Sequence, residues 1–264
     1  MGVGEGVEGV SRGDRVGIPW LYKSCGNCRY CRRGLENLCD HALFTGYSVD
    51  GGYAEYVVAP ADFVHKIPSG LSDEHAAPLM CAGAIGYRSL KLTGLLERGE
   101  GVLGLFGYGA AAHLVLQMAK KLGLEAYVFT GSPWKVEEAL RSGADWAGLT
   151  SEQPPKPLDA AIVYAPVSSV FVEALKKVDK GGRVVLAEIY MSDVERLPYS
   201  LLWHEREVKS VANVTRRDVA EVLQLALKHG VKPEVRLYSL REANAALKEL
   251  KHKKPMGQLV LDTA

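Results

Sequence analysis

Four cysteines stand within fifteen residues of one another, which is a spacing that suits a metal. They are Cys25, Cys28, Cys31 and Cys39. Four thiolates can complete a tetrahedral shell around one Zn²⁺, with Zn–S bonds of about 2.3 Å. Because four sulfur ligands leave no open coordination position, such a zinc would be structural rather than catalytic. An iron–sulfur cluster is the alternative, since closely spaced cysteines also hold such clusters.

A second motif is Gly107-Tyr-Gly-Ala-Ala-Ala112, which directly follows the apolar run Val102–Phe106. A strand, this turn and a helix together form the setting in which a G-x-G-x-x-G/A pattern binds a dinucleotide. Gly107 permits the tight turn, Gly109 lets the backbone approach a pyrophosphate, and Ala112 lets the helix pack closely on the strand. The motif therefore predicts NAD or NADP, and a glycine turn of purely structural use is the alternative.

The next strand indicates which dinucleotide is preferred. In this kind of unit it normally ends in an acid that binds the adenosine ribose hydroxyls. Here residues 129–135 contain no acid, and Thr130, Ser132 and Lys135 could contact a 2′-phosphate. The sequence therefore favours NADP. The alternative is that Lys135 faces solvent on the following helix.

The part of the chain that carries the four cysteines is expected to be rich in β-structure. Residues 1–87 contain many glycines and turns, and Gly51-Gly52 indicates a turn between strands. The β-like runs are Arg15–Pro19, Tyr53–Ala59 and Phe63–Pro68.

From about residue 100, short apolar runs alternate with helical periodicity, which predicts a parallel sheet covered on both faces. Strands are expected at Val102–Phe106, Ala126–Thr130, Leu158–Tyr164, Arg183–Ala187 and Glu207–Asn213, and helices up to Leu122 and at Lys135–Arg141, Val170–Val178 and Asp218–His229. The tail then returns to strand, helix and strand, at Glu234–Tyr238, Arg241–Leu250 and Gln258–Leu261.

The composition excludes several classes of protein. The chain has 264 residues, of which 47% are hydrophobic and 24% charged, which is typical of a globular protein with a sizeable core. Lys and Arg number 32 against 31 acids, so bulk charge favours neither nucleic acid nor a membrane surface as a partner. The uncharged stretch 101–119 is interrupted by glycines, which favours strand, turn and helix over a membrane span. Five cysteines are too few for a disulfide scaffold, so a cytoplasmic location is expected.

Taken in order, these stretches resemble the zinc-dependent alcohol dehydrogenases of the medium-chain dehydrogenase/reductase superfamily. The resemblance rests on Gly13–Val16, the four cysteines, Thr45–Tyr56, Ala76–Gly83, the glycine turn and Gly257–Leu261. It implies an α/β protein with a Rossmann domain, a doubly wound parallel sheet, over residues 88–230. It also implies a partial GroES-like, β-rich catalytic domain over residues 1–87 and 231–264.

The resemblance also implies roles for single residues. Cys81 would be a ligand of a catalytic zinc, which acts as a Lewis acid on the alcohol oxygen before hydride passes to the nicotinamide. Ala165 and Ile189, at the ends of later strands, would line the nicotinamide side. The substrate would be an alcohol or the corresponding aldehyde or ketone, and the assembly a homodimer or homotetramer.

One departure from the family concerns the catalytic zinc. The family's other ligands for it lie in a segment that this sequence does not contain, and His41, His65 and His75 stand outside the family's motif. A shortened enzyme that holds about one zinc and has impaired activity is therefore expected. The alternatives are a non-catalytic nucleotide-binding protein that keeps the fold and the structural zinc, and a zinc-ribbon interaction module. Gln258 also replaces an arginine that often pairs with the cofactor pyrophosphate, which would weaken that contact.

Overall fold

The structure, a computed structural model, describes residues 2–253 and 255–263. Met1 and Ala264, the outer limits of the predicted β-rich domain, lie outside the described residues. By contact density the chain divides into two compact units. The first unit comprises Met1–Ala84 and Asn213–Ala264, and the second unit comprises Ile85–Ala212.

The first unit begins with two small antiparallel ladders, in which β1 pairs with β4 and β2 pairs with β3. These strands are β1 (Val16–Gly17), β2 (Leu21–Lys23), β3 (Leu43–Phe44) and β4 (His65–Lys66). The ladders bring residues on either side of the four-cysteine segment together, because β2 immediately precedes it and β3 follows it.

The strand predicted at Tyr53–Ala59 is wrong, and the turn at Gly51-Gly52 does not join two strands. Among the described residues no strand pairs with this run, and Tyr56 and Val58 are 85% and 83% exposed. An alternating pattern forms a strand only where a neighbouring backbone supplies the ladder hydrogen bonds.

A helical segment follows β4, where the sequence had indicated only β-structure. Helix α1 (Asp73–Pro78) runs into a π-helical turn at Leu79–Gly83, which leads directly into α2 (Ala84–Leu92) and then α3 (Leu95–Arg98). Short helices rich in Ala, Gly and Pro give little periodic signal, because few of their side chains are strongly apolar or strongly polar.

The second unit contains a six-stranded parallel sheet with helices between its strands. The strands are β5 (Val102–Phe106), β6 (Glu125–Thr130), β7 (Trp146–Leu149), β8 (Leu158–Val163), β9 (Val178–Leu186) and β10 (Glu207–Ser210), and the connecting helices are α4 (Ala110–Lys121), α5 (Pro133–Arg141) and α6 (Ser168–Lys177). The strand order is β10-β9-β8-β5-β6-β7. From β5 the chain adds strands on one side as far as β7 and then adds β8 to β10 on the other side of β5. This is the order of a doubly wound sheet, which confirms the predicted fold. Strand β7 had not been predicted, because it is short and contains a glycine.

The core of this sheet explains its near-continuous apolar runs. A parallel sheet is covered on both faces, so successive side chains of one strand are all buried. Phe106 on β5 and Phe129 on β6 are fully buried, and their rings stack with centroids 4.1 Å apart. The two strands are therefore locked in register next to the glycine turn that follows β5.

The last elements return to the first unit. They are α7 (Arg216–His229), β11 (Val235–Ser239), α8 (Ala243–Lys253) and β12 (Gln258–Asp262), with β11 parallel to β12. The sequence had placed α7 in the dinucleotide domain, whereas it packs on the turn Leu79–Gly83 and clusters with the first unit. An amphipathic stripe predicts that a helix face is buried but does not say against which neighbour.

No helix within the described residues is long and apolar enough to cross a lipid bilayer. The uncharged stretch 101–119 forms β5, the glycine turn and most of α4, as expected.

Candidate functional site

The four cysteines of the first unit converge on one point. Their sulfur atoms all lie within 4.8 Å of one another. The Sγ of Cys31 is 3.9 Å from that of Cys25 and 3.5 Å from that of Cys28. A tetrahedron with Zn–S bonds of about 2.3 Å has edges of about 3.8 Å, so the four sulfurs fit a single zinc ion. We call this group the four-cysteine lobe.

Backbone amides also point at the sulfurs. The N–H groups of Cys28 and Cys31 donate to the Sγ of Cys25 and Cys28 at N···S distances of 3.4 and 3.5 Å, and the N–H of Cys25 donates to Cys39 Sγ at 3.5 Å. Backbone hydrogen bonds from Asn27 and Cys28 lower the pKa of Cys25 to about 6. Burial raises the pKa of Cys39 to about 11. The lobe therefore holds one thiolate near neutral pH, and a bound cation would favour ionisation of the others.

The glycine turn lies at the carboxyl edge of the sheet in the second unit. Gly107 has φ +91°, and a Cβ there would stand 3.2 Å from backbone atoms of Tyr164 and Ala165. Only glycine therefore fits between the ends of β5 and β8. Ala165, which the resemblance placed beside the nicotinamide, forms part of this contact at the point where strand order reverses.

Gly109 differs from Gly107 in its surroundings. It is extended, with φ −141°, and directly precedes α4. A Cβ built on Gly109 meets nothing within 4 Å, so open space lies above this backbone. Ala112 in the first turn of α4 is fully buried. The N–H groups of that first turn have no partner inside the helix. An extended backbone with free space beside a helix N-terminus fits a bound pyrophosphate.

The residues predicted to contact a 2′-phosphate surround the same turn. Thr130 ends β6 and is 3% exposed, and its Oγ1 accepts a hydrogen bond from the N–H of Ser132 at 3.3 Å. Lys135 Nζ donates to the carbonyl oxygen of Tyr108, in the middle of the glycine turn, at 2.6 Å. It also lies 5.3 Å from the centroid of the Trp134 ring. The Lys135 ammonium is therefore held at the glycine turn.

The ends of β8 and β9 complete this edge. Tyr164 and Ala165 follow β8, and burial raises the pKa of the Tyr164 hydroxyl. After β9, burial raises the pKa of Glu188, while Ile189 is 84% exposed. Ile189 thus presents an apolar side chain at the surface of the second unit beyond the end of β9.

Cys81 lies apart from the four-cysteine lobe, at the centre of the π-helical turn Leu79–Gly83. Such turns are frequent at functional sites. The exposed Cys81 lines a cavity of ≈ 450 Å³ in the first unit, and partial desolvation by neighbouring protein atoms raises the pKa of its thiol. The other lining residues are Gly52, Tyr53, Ala77, Pro78, Ala82, Gln258, Leu259, Val260, Leu261 and Thr263.

The described residues do not assemble a second metal site around Cys81. Over residues 2–253 and 255–263, the four-cysteine lobe is the one group of three or more His, Cys, Asp or Glu side chains that could hold an ion. His65 lies half-buried elsewhere in the first unit, and His75 Nδ1 hydrogen-bonds Ser72 Oγ at 2.7 Å. Gln258, which shares the cavity, has a buried Nε2 without a hydrogen-bond partner among the described residues. The donor set that the described residues offer around Cys81 does not fit a catalytic zinc.

Sequence analysis missed a buried ion pair that involves the four-cysteine lobe. Glu36 lies between Cys31 and Cys39, and its Oε1 accepts hydrogen bonds from the backbone N–H and the Nε of Arg216, both at 3.0 Å. The side chain of Glu36 is 10% exposed. A glutamate within a metal-binding loop gives no sequence signal that distinguishes it from a solvated charge.

Comparisons with known proteins agree with this architecture. Residues 1–69 match the model of the alcohol dehydrogenase GroES-like domain. The chain is 44% identical over 262 residues to a probable alcohol dehydrogenase, AdhA, of Mycobacterium tuberculosis, covering 99% of this chain and 75% of that protein.

Two solved structures at 26% identity also superpose well. One is CAD from Helicobacter pylori complexed with NADP(H), with a TM-score of 0.86 and coverage of 98% of this chain and 78% of the other. The other is acetophenone reductase from Geotrichum candidum in complex with NAD, with a TM-score of 0.87 and coverage of 100% and 78%.

Proposed function

This chain belongs to the alcohol dehydrogenase family, and on that premise we propose that it exchanges hydride between an alcohol and NADP(H). The substrate class is a small alcohol and the corresponding aldehyde or ketone. The observation that carries the proposal is the glycine turn at the carboxyl edge of a doubly wound sheet, where dinucleotides bind in this architecture. Its relatives with bound NADP(H) and NAD support a nicotinamide cofactor.

The residues of the second unit would hold the cofactor from three sides. The amides that follow Gly109 bind the pyrophosphate, and the open space above this glycine admits it. Thr130, Ser132 and Lys135 bind the adenosine ribose and its 2′-phosphate, because a hydroxyl and an ammonium donate to phosphate oxygens where a carboxylate would repel them. Ala165 and Ile189 line the nicotinamide side. When bound, the nicotinamide accepts hydride from the alcohol carbon or returns it to the carbonyl.

The four-cysteine lobe would hold one structural Zn²⁺. The observation that supports this is the tetrahedral spacing of the four sulfurs, with amide N–H groups directed at three of them. A closed shell of four thiolates has no position for substrate, so this metal fixes the lobe and takes no part in hydride transfer. Because Cys81 has no companion ligands among the described residues, about one zinc per chain is expected.

Titration of the purified protein with NADPH and NADH, followed by nicotinamide fluorescence, tests the cofactor assignment. We expect tighter binding of NADPH. A clear preference for NADH would refute the role of Lys135, and no binding of either nucleotide would refute the function as a whole. Incubation with NADP⁺ and a panel of primary and secondary alcohols then tests hydride transfer by the appearance of NADPH.

One observation favours a second candidate, a nucleotide-binding protein without catalysis. Cys81 would be a metal ligand by resemblance, yet the described residues place no further ligands beside it. Binding of NADPH with no turnover across the panel of alcohols and ketones would support this candidate over the enzyme.

The dimeric or tetrameric assembly, the domain limits at residues 87 and 230 and the cytoplasmic location stay predictions. Light scattering of the purified protein measures the first of these directly.

A further inference from the structure

Glu36 and Arg216 join two parts of the first unit that the sequence keeps 180 positions apart. Glu36 begins a 3-10 turn between Cys31 and Cys39, and its carbonyl oxygen accepts the N–H of Cys39 at 3.2 Å. Its backbone is therefore tied to a residue of the four-cysteine lobe. Its carboxylate oxygen Oε1 accepts both N–H groups of Arg216 described above.

Arg216 is the first residue of α7, where a helix has backbone N–H groups without helical acceptors. The preceding residue, Thr215, forms a capping box with the buried Asp218, which satisfies the amides of those two residues. The backbone N–H of Arg216 takes no part in this capping box and donates to Glu36 instead. A carboxylate at this position also interacts favourably with the positive end of the helix dipole.

The guanidinium of Arg216 is fixed on further sides. It lies 4.6 Å from the centroid of the Phe63 ring, and its Nη1 donates to the carbonyl oxygen of Asp62 at 3.2 Å. His65 lies half-buried nearby and is not charged near neutral pH, because desolvation and then the positive charge of Arg216 lower its pKa to about 4. The ion pair that the structure gives to the buried Glu36, within residues 2–253 and 255–263, is therefore the one with Arg216.

Helix α7 also contacts the turn that carries Cys81. The buried residues of the helix are Asp218, Val219, Val222, Leu223 and Ala226, and the helix packs against Leu79–Gly83. Leu79 in that turn is fully buried, whereas Cys81 is exposed. A shift at the start of α7 would therefore displace the turn Leu79–Gly83, because packed side chains leave little free volume.

We propose that Glu36 and Arg216 are positioning residues that couple the metal-bound state of the four-cysteine lobe to the π-helical turn that carries Cys81. With the lobe closed around its metal, Glu36 holds the first turn of α7, and α7 holds Leu79–Gly83. With the lobe open, Glu36 is released and Cys81 becomes more accessible to solvent. This inference rests on the zinc proposed for the lobe, and coupling of this kind is reciprocal.

The readout is the rate at which iodoacetamide alkylates Cys81, measured by mass spectrometry in zinc-loaded and chelator-stripped protein. Trypsin releases residues 67–88 as a peptide in which Cys81 is the one cysteine, so alkylation of the lobe does not interfere. In the wild-type chain we expect zinc removal to raise the Cys81 rate about 5-fold or more, the lower end of usual coupling between sites. In Glu36→Ala and Arg216→Ala, the ratio of the Cys81 alkylation rate in stripped protein to that in zinc-loaded protein should fall towards one.

Two surface ion pairs in the same unit supply controls. Arg217→Ala removes the i,i+4 pair with Glu221 on α7, and Arg236→Ala removes the pair with Glu249. Both should keep the wild-type ratio. Glu36→Gln keeps an acceptor oxygen and should give an intermediate ratio, which provides a measurement if the alanine variants fail to fold.

The outcomes distinguish failure of the proposed coupling from failure of the zinc assignment. Purified protein without metal at the lobe would refute the zinc assignment itself. A zinc-loaded wild type whose Cys81 rate does not change on chelation, or variants at Glu36 and Arg216 that keep the wild-type ratio, would overturn the coupling and leave the zinc assignment standing.

Discussion

Substituting each glycine of the dinucleotide turn separates folding from nucleotide binding. In Gly107→Ala, the new methyl group would be held at φ +91°, which costs about 1–2 kcal/mol for a residue with a Cβ. It would also stand 3.2 Å from backbone atoms of Tyr164 and Ala165, which cannot rotate away. Inserting a methyl group into a packed site costs a further ~1–3 kcal/mol. We expect the free energy of unfolding to fall by about 2–5 kcal/mol.

Gly109→Ala should behave in the opposite way. Its φ of −141° suits any residue, and an added Cβ meets nothing within 4 Å. Stability should be unchanged or rise by about 0.4–1 kcal/mol, because alanine restricts the unfolded chain. The methyl group fills the space through which a pyrophosphate would approach the amides of α4. Loss of one charge-assisted hydrogen bond, worth about 1.5–3 kcal/mol, would weaken NADPH binding about 10- to 150-fold.

The assays are urea denaturation followed by circular dichroism and NADPH titration followed by fluorescence, both on the two variants and the wild type. Gly2→Ala is the matched control, because its Cβ also meets nothing within 4 Å and Gly2 lies in the first unit, outside the residues proposed to hold the cofactor. Unchanged NADPH affinity in Gly109→Ala would refute the placement of the pyrophosphate. A Gly107→Ala protein as stable as the wild type would refute the steric argument.

Three further predictions follow from the site. Lys135→Ala should weaken binding of NADPH at least about tenfold while NADH binding changes little, and equal losses for both would contradict a 2′-phosphate contact. Metal analysis should find about one zinc per chain. Cys39→Ser should lose this zinc together with stability, whereas Cys81→Ser should retain it. A content of two zincs per chain would contradict the ligand assignment. For His65, burial and Arg216 lower the pKa from 6.5 to about 4, so as the pH falls this histidine is protonated in the unfolded chain before it is protonated in the folded chain. The stability that His65 contributes is therefore complete above pH 6.5 and is lost as the pH falls towards 4, by at most about 3 kcal/mol. His65→Gln should flatten this dependence in denaturation at pH 7 and 4.5.

The sequence predicted the second unit almost element by element. Strand β5 matches the apolar run Val102–Phe106, and α5 and α6 begin within two residues of their predicted starts. The reason is local: each strand of a covered parallel sheet is a continuous apolar run, and each helix carries its own stripe and end signals. In the first unit, Tyr53–Ala59 had the pattern of a strand, but no described strand pairs with it, so the local pattern gave a wrong prediction.

The types and spacing of the residues determined by themselves what chemistry the chain can perform. The four cysteines predict their metal site because their ligand atoms are close in sequence, and the glycine turn predicts its ligand because strand, turn and helix are contiguous. The tertiary structure alone decided that Lys135 lies against Tyr108, that Glu36 meets Arg216 and that Cys81 sits in a π-helical turn under α7. These contacts join residues far apart in the chain. Each depends on which buried faces complement one another, and that choice is made by packing rather than by any local pattern.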